Sequence, residues 1–207
     1  MNSPIFVAGT GTDVGKTWVL THLIIELRRR GREICVRKPA QSYAPEELGS
    51  TDAELLGAAL QQPPTFVCPA HRWYETPMAP PMAAATLGRP VFTFADLVRE
   101  IGVHPNCFIE GAGGPRSPIA NDGDNIDLAR ALGTGLVVLV AAAGLGTINA
   151  VELSVAAFHG FEVIVFVNRF DPTDDLHRRN REWLTAAGHR VETHTAALAD
   201  TLAPRLS

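Results

Sequence analysis

Gly9-Thr10-Gly11-Thr12-Asp13-Val14-Gly15-Lys16-Thr17 joins an apolar run, Ile5-Phe6-Val7-Ala8, to a stretch in which Val19, Leu20, Leu23, Ile24 and Leu27 recur at helical spacing. A strand, a glycine-rich turn and a helix N-terminus in that order aim backbone N–H groups and the positive end of a helix dipole at one place. That arrangement holds a di- or triphosphate. Lys16 adds a mobile positive charge for the β- and γ-phosphates, and Thr17 a hydroxyl for Mg2+. The usual spacing of such loops has a glycine at position 10; this chain has Thr10, flanked by Gly9 and Gly11. Further on, Glu110 ends a buried strand, where a carboxylate is expensive unless it meets a cation, and Mg2+ beside the loop would be one. Asp52 reads equally well as a helix-start charge and as a Mg2+ ligand. Two lysines, Lys16 and Lys38, a hydroxyl and two carboxylates suit phosphoryl transfer, which needs mostly positioning and charge neutralisation.

These residues must be positioned by the elements around them. The first helix ends in Arg28-Arg29-Arg30-Gly31, favourable charges and a glycine stop. Glu33-Ile34-Cys35-Val36 is the second apolar strand, and it delivers Lys38-Pro39-Ala40-Gln41-Ser42 at its C-terminal end, the edge where ligands bind in open α/β sheets. Thr51-Asp52 heads a short helix. Residues 61–90, with Pro77, Pro80 and Pro81, exclude a central strand or a long helix and suggest a binding loop. Thr93 caps a helix; Asn106-Cys107-Phe108-Ile109 is a strand ending in Glu110-Gly111-Ala112-Gly113-Gly114; Leu136 to Ala142 is a buried parallel strand. Gly146-Thr147-Ile148-Asn149 then opens another helix, a second anion seat suited to a carboxylate. Glu162 to Val167 is a strand ending at Asn168, Asp174 to Ala187 a polar helix, and His189 to Thr195 an edge strand, while Ala196 to Ser207 carries no motif. Strands and helices alternate, so the expected fold is α/β, a mostly parallel sheet with helices on both faces.

The whole chain sets bounds. Its 207 residues suffice for one sizeable core, so residues 1–207 are expected to form a single domain. A net charge of −4 gives no general reason to expect nucleic acid or an anionic membrane as partner. Cys35, Cys68 and Cys107 are distant in sequence and form no Cys-x-x-Cys pair, as befits structural thiols in a reducing cytosol. No secretory signal begins the sequence, and the longest run without a polar side chain, Gly135 to Gly146, falls short of the roughly 20 residues that span a bilayer. A cytoplasmic location is expected.

Taken in order, Gly9 to Thr17, Lys38-Pro39 with Ser42, Asp52, the Pro77-x-Ala79-Pro80 loop, Glu110 to Gly114 and Leu145 to Asn149 resemble dethiobiotin synthetases. The resemblance implies a P-loop NTPase-like fold and a homodimeric, Mg2+- and ATP-dependent cyclo-ligase. Such an enzyme converts 7,8-diaminononanoate and CO2 to the cyclic urea dethiobiotin, with release of ADP and phosphate. A carbamate on one amine attacks the γ-phosphate, and the neighbouring amine closes on the resulting anhydride. By the same resemblance, Gly11, Thr12, Asp13, Val14, Gly15, Lys16 and Thr17 would bind nucleotide, and Asn168 would contact its base. Lys16 and Lys38 would neutralise carbamate and phosphate, with Thr12 and Ser42 bordering the diamine. Thr17, Asp52 and Glu110 would hold Mg2+, Pro80 would line the substrate site, and Gly146, Thr147, Ile148 and Asn149 would receive the substrate's distant carboxylate across the dimer interface.

The chain departs from the family where an Ile-Pro or Leu-Pro element commonly helps enclose the base; Thr193-His194-Thr195-Ala196-Ala197 stands there instead. Arg116 follows the glycine turn with no assigned role. The rival reading is a partitioning or division-site switch ATPase, but that class carries a lysine early in the loop, and positions 10 to 13 contain none. An amide-forming synthase of the cobyrinate kind would need a glutaminase domain for which the chain leaves no room.

Overall fold

Strict alternation of side chains organises the centre of the molecule. In a computed structural model that describes residues 3–46, 49–102 and 104–206, Phe6 and Ala8 of β1 (Ile5–Gly9) point to one face of a sheet and Ile5 and Val7 to the other. The same period of two runs through β8 (Leu136–Ala142) and β9 (Glu162–Asn168), whose alternate residues enter two separate apolar clusters. Because both faces are covered, these strands read as continuous apolar runs.

The remaining elements, in chain order, are α1 (Lys16–Arg29), β2 (Cys35–Arg37), β3 (Gln41–Ser42), α2 (Asp52–Leu60), α3 (Pro64–Val67), β4 (Trp73–Tyr74), α4 (Pro80–Thr86), α5 (Phe94–Ile101), β5 (Cys107–Glu110), β6 (Pro118–Ala120), β7 (Gly123–Asp124), α6 (Asn125–Ala131), α7 (Thr147–Ala157), α8 (Asp175–Ala186), β10 (Arg190–Glu192) and α9 (Thr195–Leu202). Six strands form one parallel sheet in the order β10-β9-β8-β1-β5-β2. Leu20 of α1, Leu56 of α2 and Leu198 of α9 pack on one face; Leu97 of α5, Ile126 of α6 and Val151 of α7 pack on the other. The expected α/β fold, a parallel sheet between two helical layers, is what the chain adopts.

Three segments differ from expectation. The edge strand β2 starts two residues late, at Cys35, because only Cys35 to Arg37 pair with β5. Residues 61–90 are not a structureless loop: Pro64 and Pro80 each occupy the first turn of a short helix, where a missing N–H costs nothing, and β4 pairs with β3. The tail carries a helix, α9, because Leu198, Ala199 and Leu202 bury themselves beside α1.

Candidate active site

β1, β2, β5 and β9 release their functional residues at the same C-terminal edge of the sheet. Gly9, not a residue at position 10, permits the turn out of β1. A Cβ at Gly9 would lie 2.7 Å from the Gly11 carbonyl oxygen and 2.8 Å from Val14 Cγ2, while the Thr10 N–H donates to the Val140 carbonyl at 2.9 Å. Gly15, which precedes α1, has φ of 91°, and a Cβ there would lie 2.2 Å from Asn168 Nδ2. The end of β9 fastens the loop: Asn168 Nδ2 donates to the Val14 carbonyl at 2.9 Å and Arg169 Nη2 to the Asp13 carbonyl at 3.0 Å. Lys16 Nζ reaches back to the Gly11 carbonyl at 3.1 Å. Burial first, and the charge of Lys38 second, hold the Lys16 ammonium below the usual lysine range.

Lys38 lies between two carboxylates. Its Nζ is 2.5 Å from Glu110 Oε1 and 2.7 Å from Asp52 Oδ2. Thr17 Oγ1 donates toward both acids, at 2.8 Å to Asp52 Oδ1 and 2.9 Å to Glu110 Oε1. Residues that are distant in sequence thus meet in one network. Burial works against the charge on Lys38, yet the two carboxylates more than offset it and keep the ammonium protonated well above the ordinary range. Asp52 is likewise pushed up by burial and pulled down further by Lys38 and Thr17, so it stays ionised. Glu110 is fully buried, and burial followed by repulsion from Asp52 raises its carboxyl despite Lys38.

Local sequence explains why Asp52 arrives there. Thr51 and Glu54 form a reciprocal capping box at the start of α2. Gln41 Oε1 accepts from the Ala53 N–H at 2.9 Å, tying the same turn to β3. Residue type alone marks neither Gln41 nor Arg169; only their places, Gln41 between Lys38 and Ser42 and Arg169 next to Asn168, point to them.

Beside this network opens a cleft of about 600 Å3, bordered by Thr12, Ser42, Asp52, Pro80, Ala112 and Gly113. Ser42 Oγ donates to the Met78 carbonyl at 2.6 Å and so holds the proline-rich wall in place. Gly146 to Asn149 do not border it. That turn stands at the start of α7, with Gly146 at φ 91°, Leu145 92% exposed and the Thr147 hydroxyl buried without a partner among the described residues. Asn168 is buried and its amide is engaged with the loop. Arg116 pairs with Asp124 at the surface, 2.8 Å apart.

A hydroxyl and two carboxylates are the hard oxygen donors that Mg2+ prefers. Glu110 Oε2 is buried with no hydrogen-bond partner among the described residues, so this oxygen is available to a cation. Those residues include no group of three or more His, Cys, Asp or Glu able to hold a metal by themselves. A Mg2+ ion bound there would therefore keep waters or phosphate oxygens as its other ligands.

Residues 3–190 match the model of an AAA domain family. The chain is 38% identical over 180 residues to the ATP-dependent dethiobiotin synthetase of Anaeromyxobacter sp. (strain Fw109-5), a match covering 83% of this chain and 78% of that protein. It is 37% identical over 170 residues to the synthetase of Corynebacterium efficiens, covering 78% and 73%, and 35% identical over 184 residues to that of Caulobacter vibrioides, covering 82% of each. Among solved structures it is similar to the signal recognition particle receptor FtsY of Elizabethkingia anophelis, with a TM-score of 0.55 and 13% identity. That match covers 97% of this chain and 65% of the receptor chain, and it concerns the fold alone. With relatives of 35–38% identity over about four fifths of its length that are named dethiobiotin synthetases, the chain belongs to the ATP-dependent dethiobiotin synthetase family.

Proposed function

We propose that residues 1–207 act as one domain that uses ATP and Mg2+ to carboxylate 7,8-diaminononanoate with CO2 and close it to dethiobiotin, releasing ADP and phosphate. The observation that carries this reading is Lys38 held between Glu110 and Asp52, with Thr17 completing the contact, at the wall of a cleft large enough for a small diamine. A phosphate site alone would serve any ATPase. An ammonium locked beside it, next to a cleft of organic-molecule size, serves a reaction in which a second anion is brought to the γ-phosphate.

In this reading the Gly11 to Thr17 loop and the dipole of α1 orient the triphosphate. Lys16 neutralises the transferring phosphoryl group, and Lys38 draws the carbamate toward it. Thr17, Asp52 and Glu110 are the residues that would hold Mg2+. When bound, the ion supplies charge neutralisation across the phosphate oxygens. Thr12 and Ser42 hydrogen-bond the diamine end, Pro80 shapes the wall, and Asn168 lies beside the base.

Gly146, Thr147, Ile148 and Asn149 are assigned to the substrate carboxylate in a second copy's site. The turn's distance from its own cleft and its exposed Leu145 support a homodimer in which each copy completes the other. No helix among the described residues is long and apolar enough to cross a membrane; a cytoplasmic location is part of the proposal.

The test supplies diamine, bicarbonate and Mg2+ with each nucleoside triphosphate in turn. Phosphate release that requires the diamine and yields the cyclic urea is expected. Release indifferent to the diamine would instead favour a switch ATPase.

A further inference from the structure

Cys35 and Cys107, far apart in sequence, are directly opposed partners on the adjacent parallel strands β2 and β5. Their Sγ atoms lie 3.0 Å apart. Neighbouring strands run about 4.8 Å apart, within the Cα separation of about 4.4–6.8 Å that a disulfide spans. Both are free thiols, Cys107 buried and Cys35 part-exposed at the edge of the sheet. Cys107 also lines a surface cleft of about 350 Å3 with His104, Ile101 and Ile109, which gives small solutes a route to the pair. The hydrogen bond from Cys107, and after it the nearby Arg37 guanidinium, favour the Cys35 thiolate. Cys68 is different: it is buried on the opposite face of the sheet and its thiol is pushed up to about 12, chiefly by that burial.

We propose that Cys35 and Cys107 are an oxidation site at which hydrogen peroxide converts two thiols into one disulfide linking β2 to β5. The Cys35 thiolate attacks one peroxide oxygen; an S–O bond forms, the O–O bond breaks, and hydroxide leaves to become water. Cys107 sulfur then attacks the sulfenic sulfur; the S–S bond forms, the S–O bond breaks, and a second water departs with the Cys107 proton. The two thiols together give up two electrons and the peroxide takes them. The placement matters because each strand delivers an active-site residue three positions downstream, Lys38 from β2 and Glu110 from β5. Within the sheet the three-residue β2 pairs with β5 alone, so a covalent tie there would fix the strand that carries Lys38.

The experiment exposes the reduced full chain to stoichiometric hydrogen peroxide, alkylates what remains free, digests without reductant and maps the peptides by mass. Two of the three thiols are expected to disappear together, with a Cys35–Cys107 peptide pair about 2 Da lighter than the sum of its parts and Cys68 fully alkylated. Dithiothreitol should restore all three. Cys35→Ser, a change at the part-exposed partner, should leave Cys107 and Cys68 both alkylated after the same treatment. Cys35 recovered as sulfinic acid beside a free Cys107, consumption of Cys68 as fast as the pair, or a linked peptide persisting in Cys35→Ser would each overturn the proposal.

Discussion

Lys38 and Glu110 form an ion pair of 2.5 Å whose side chains are only 3% and 0% exposed, Lys38 just past the end of β2 and Glu110 the last residue of its neighbour β5. A buried pair of this kind adds little net stability, yet removing one partner strands the other. Lys38→Met should therefore abolish turnover and also cost about 3–5 kcal/mol at neutral pH. Glu110 would then bind a proton in the folded state at a pH where the unfolded chain does not, so the variant should regain stability as pH falls. Urea unfolding at several pH values checks this; a loss independent of pH would count against it. Lys38→Met combined with Glu110→Gln should recover most of the stability and none of the activity.

Lys16 makes the contrasting case. Its ammonium donates to the Gly11 carbonyl at 3.1 Å, and among the described residues no carboxylate forms an ion pair with it. Lys16→Ala is expected to cost roughly 100- to 1,000-fold or more in kcat, with stability changed by no more than about 1 kcal/mol. Turnover within a few-fold of the parent would remove Lys16 from its assigned role.

Asp52 and Lys38 together set a pH window. Asp52 is depressed in the folded state, so its contribution is present above the unfolded aspartate value of about 3.9 and fades as pH drops through its lower folded value. Lys38 is raised, so its contribution is complete below the unfolded lysine value of about 10.4 and is lost only at more alkaline pH. Asp52→Asn should flatten the acid limb of the stability profile and, because Asp52 is one of the two carboxylates that raise Lys38, also bring the alkaline limb to lower pH. Thermal melts across the acid and alkaline ranges would show both.

Gly15 tests the phosphate loop. Gly15→Ala sets a Cβ against Asn168 Nδ2 in a backbone conformation of φ 91°. The strain alone is about 1–2 kcal/mol, and nucleotide binding should weaken with it. Adding Asn168→Ala relieves the collision but not the backbone, so titration calorimetry with an ATP analogue should show partial recovery. Full recovery would mean that the left-handed conformation costs nothing here.

Magnesium removal supplies a further check. Chelation with EDTA should stop phosphate release and added Mg2+ restore it. Thr17→Ala should raise the concentration needed for half-maximal rate several-fold, because one hydroxyl donor is lost while Asp52 and Glu110 remain.

How much of this was legible beforehand depends on how local the cause is. The loop from Gly9 to Thr17, the strand from Leu136 to Ala142 and the capped start of α2 at Thr51 follow from spacing, branching and capping within a few residues. The acid Glu110 could be singled out because a charge at a buried strand tip demands a partner. That the partner is Lys38 depends on β2 lying beside β5, a matter of strand order that no local pattern carries. The same holds for Cys35 meeting Cys107. Residues 61–90 look irregular in sequence because proline is a breaker in general, whereas Pro64 and Pro80 sit at the one helical position that welcomes it.

The grip of Asn168 and Arg169 on the carbonyls of Val14 and Asp13 makes the nucleotide cradle part of the same cooperative unit as the far half of the sheet. A bound triphosphate should accordingly slow amide exchange along Glu162 to Asn168, protecting strand residues remote from any phosphate, because the strand cannot peel away without letting the cradle collapse.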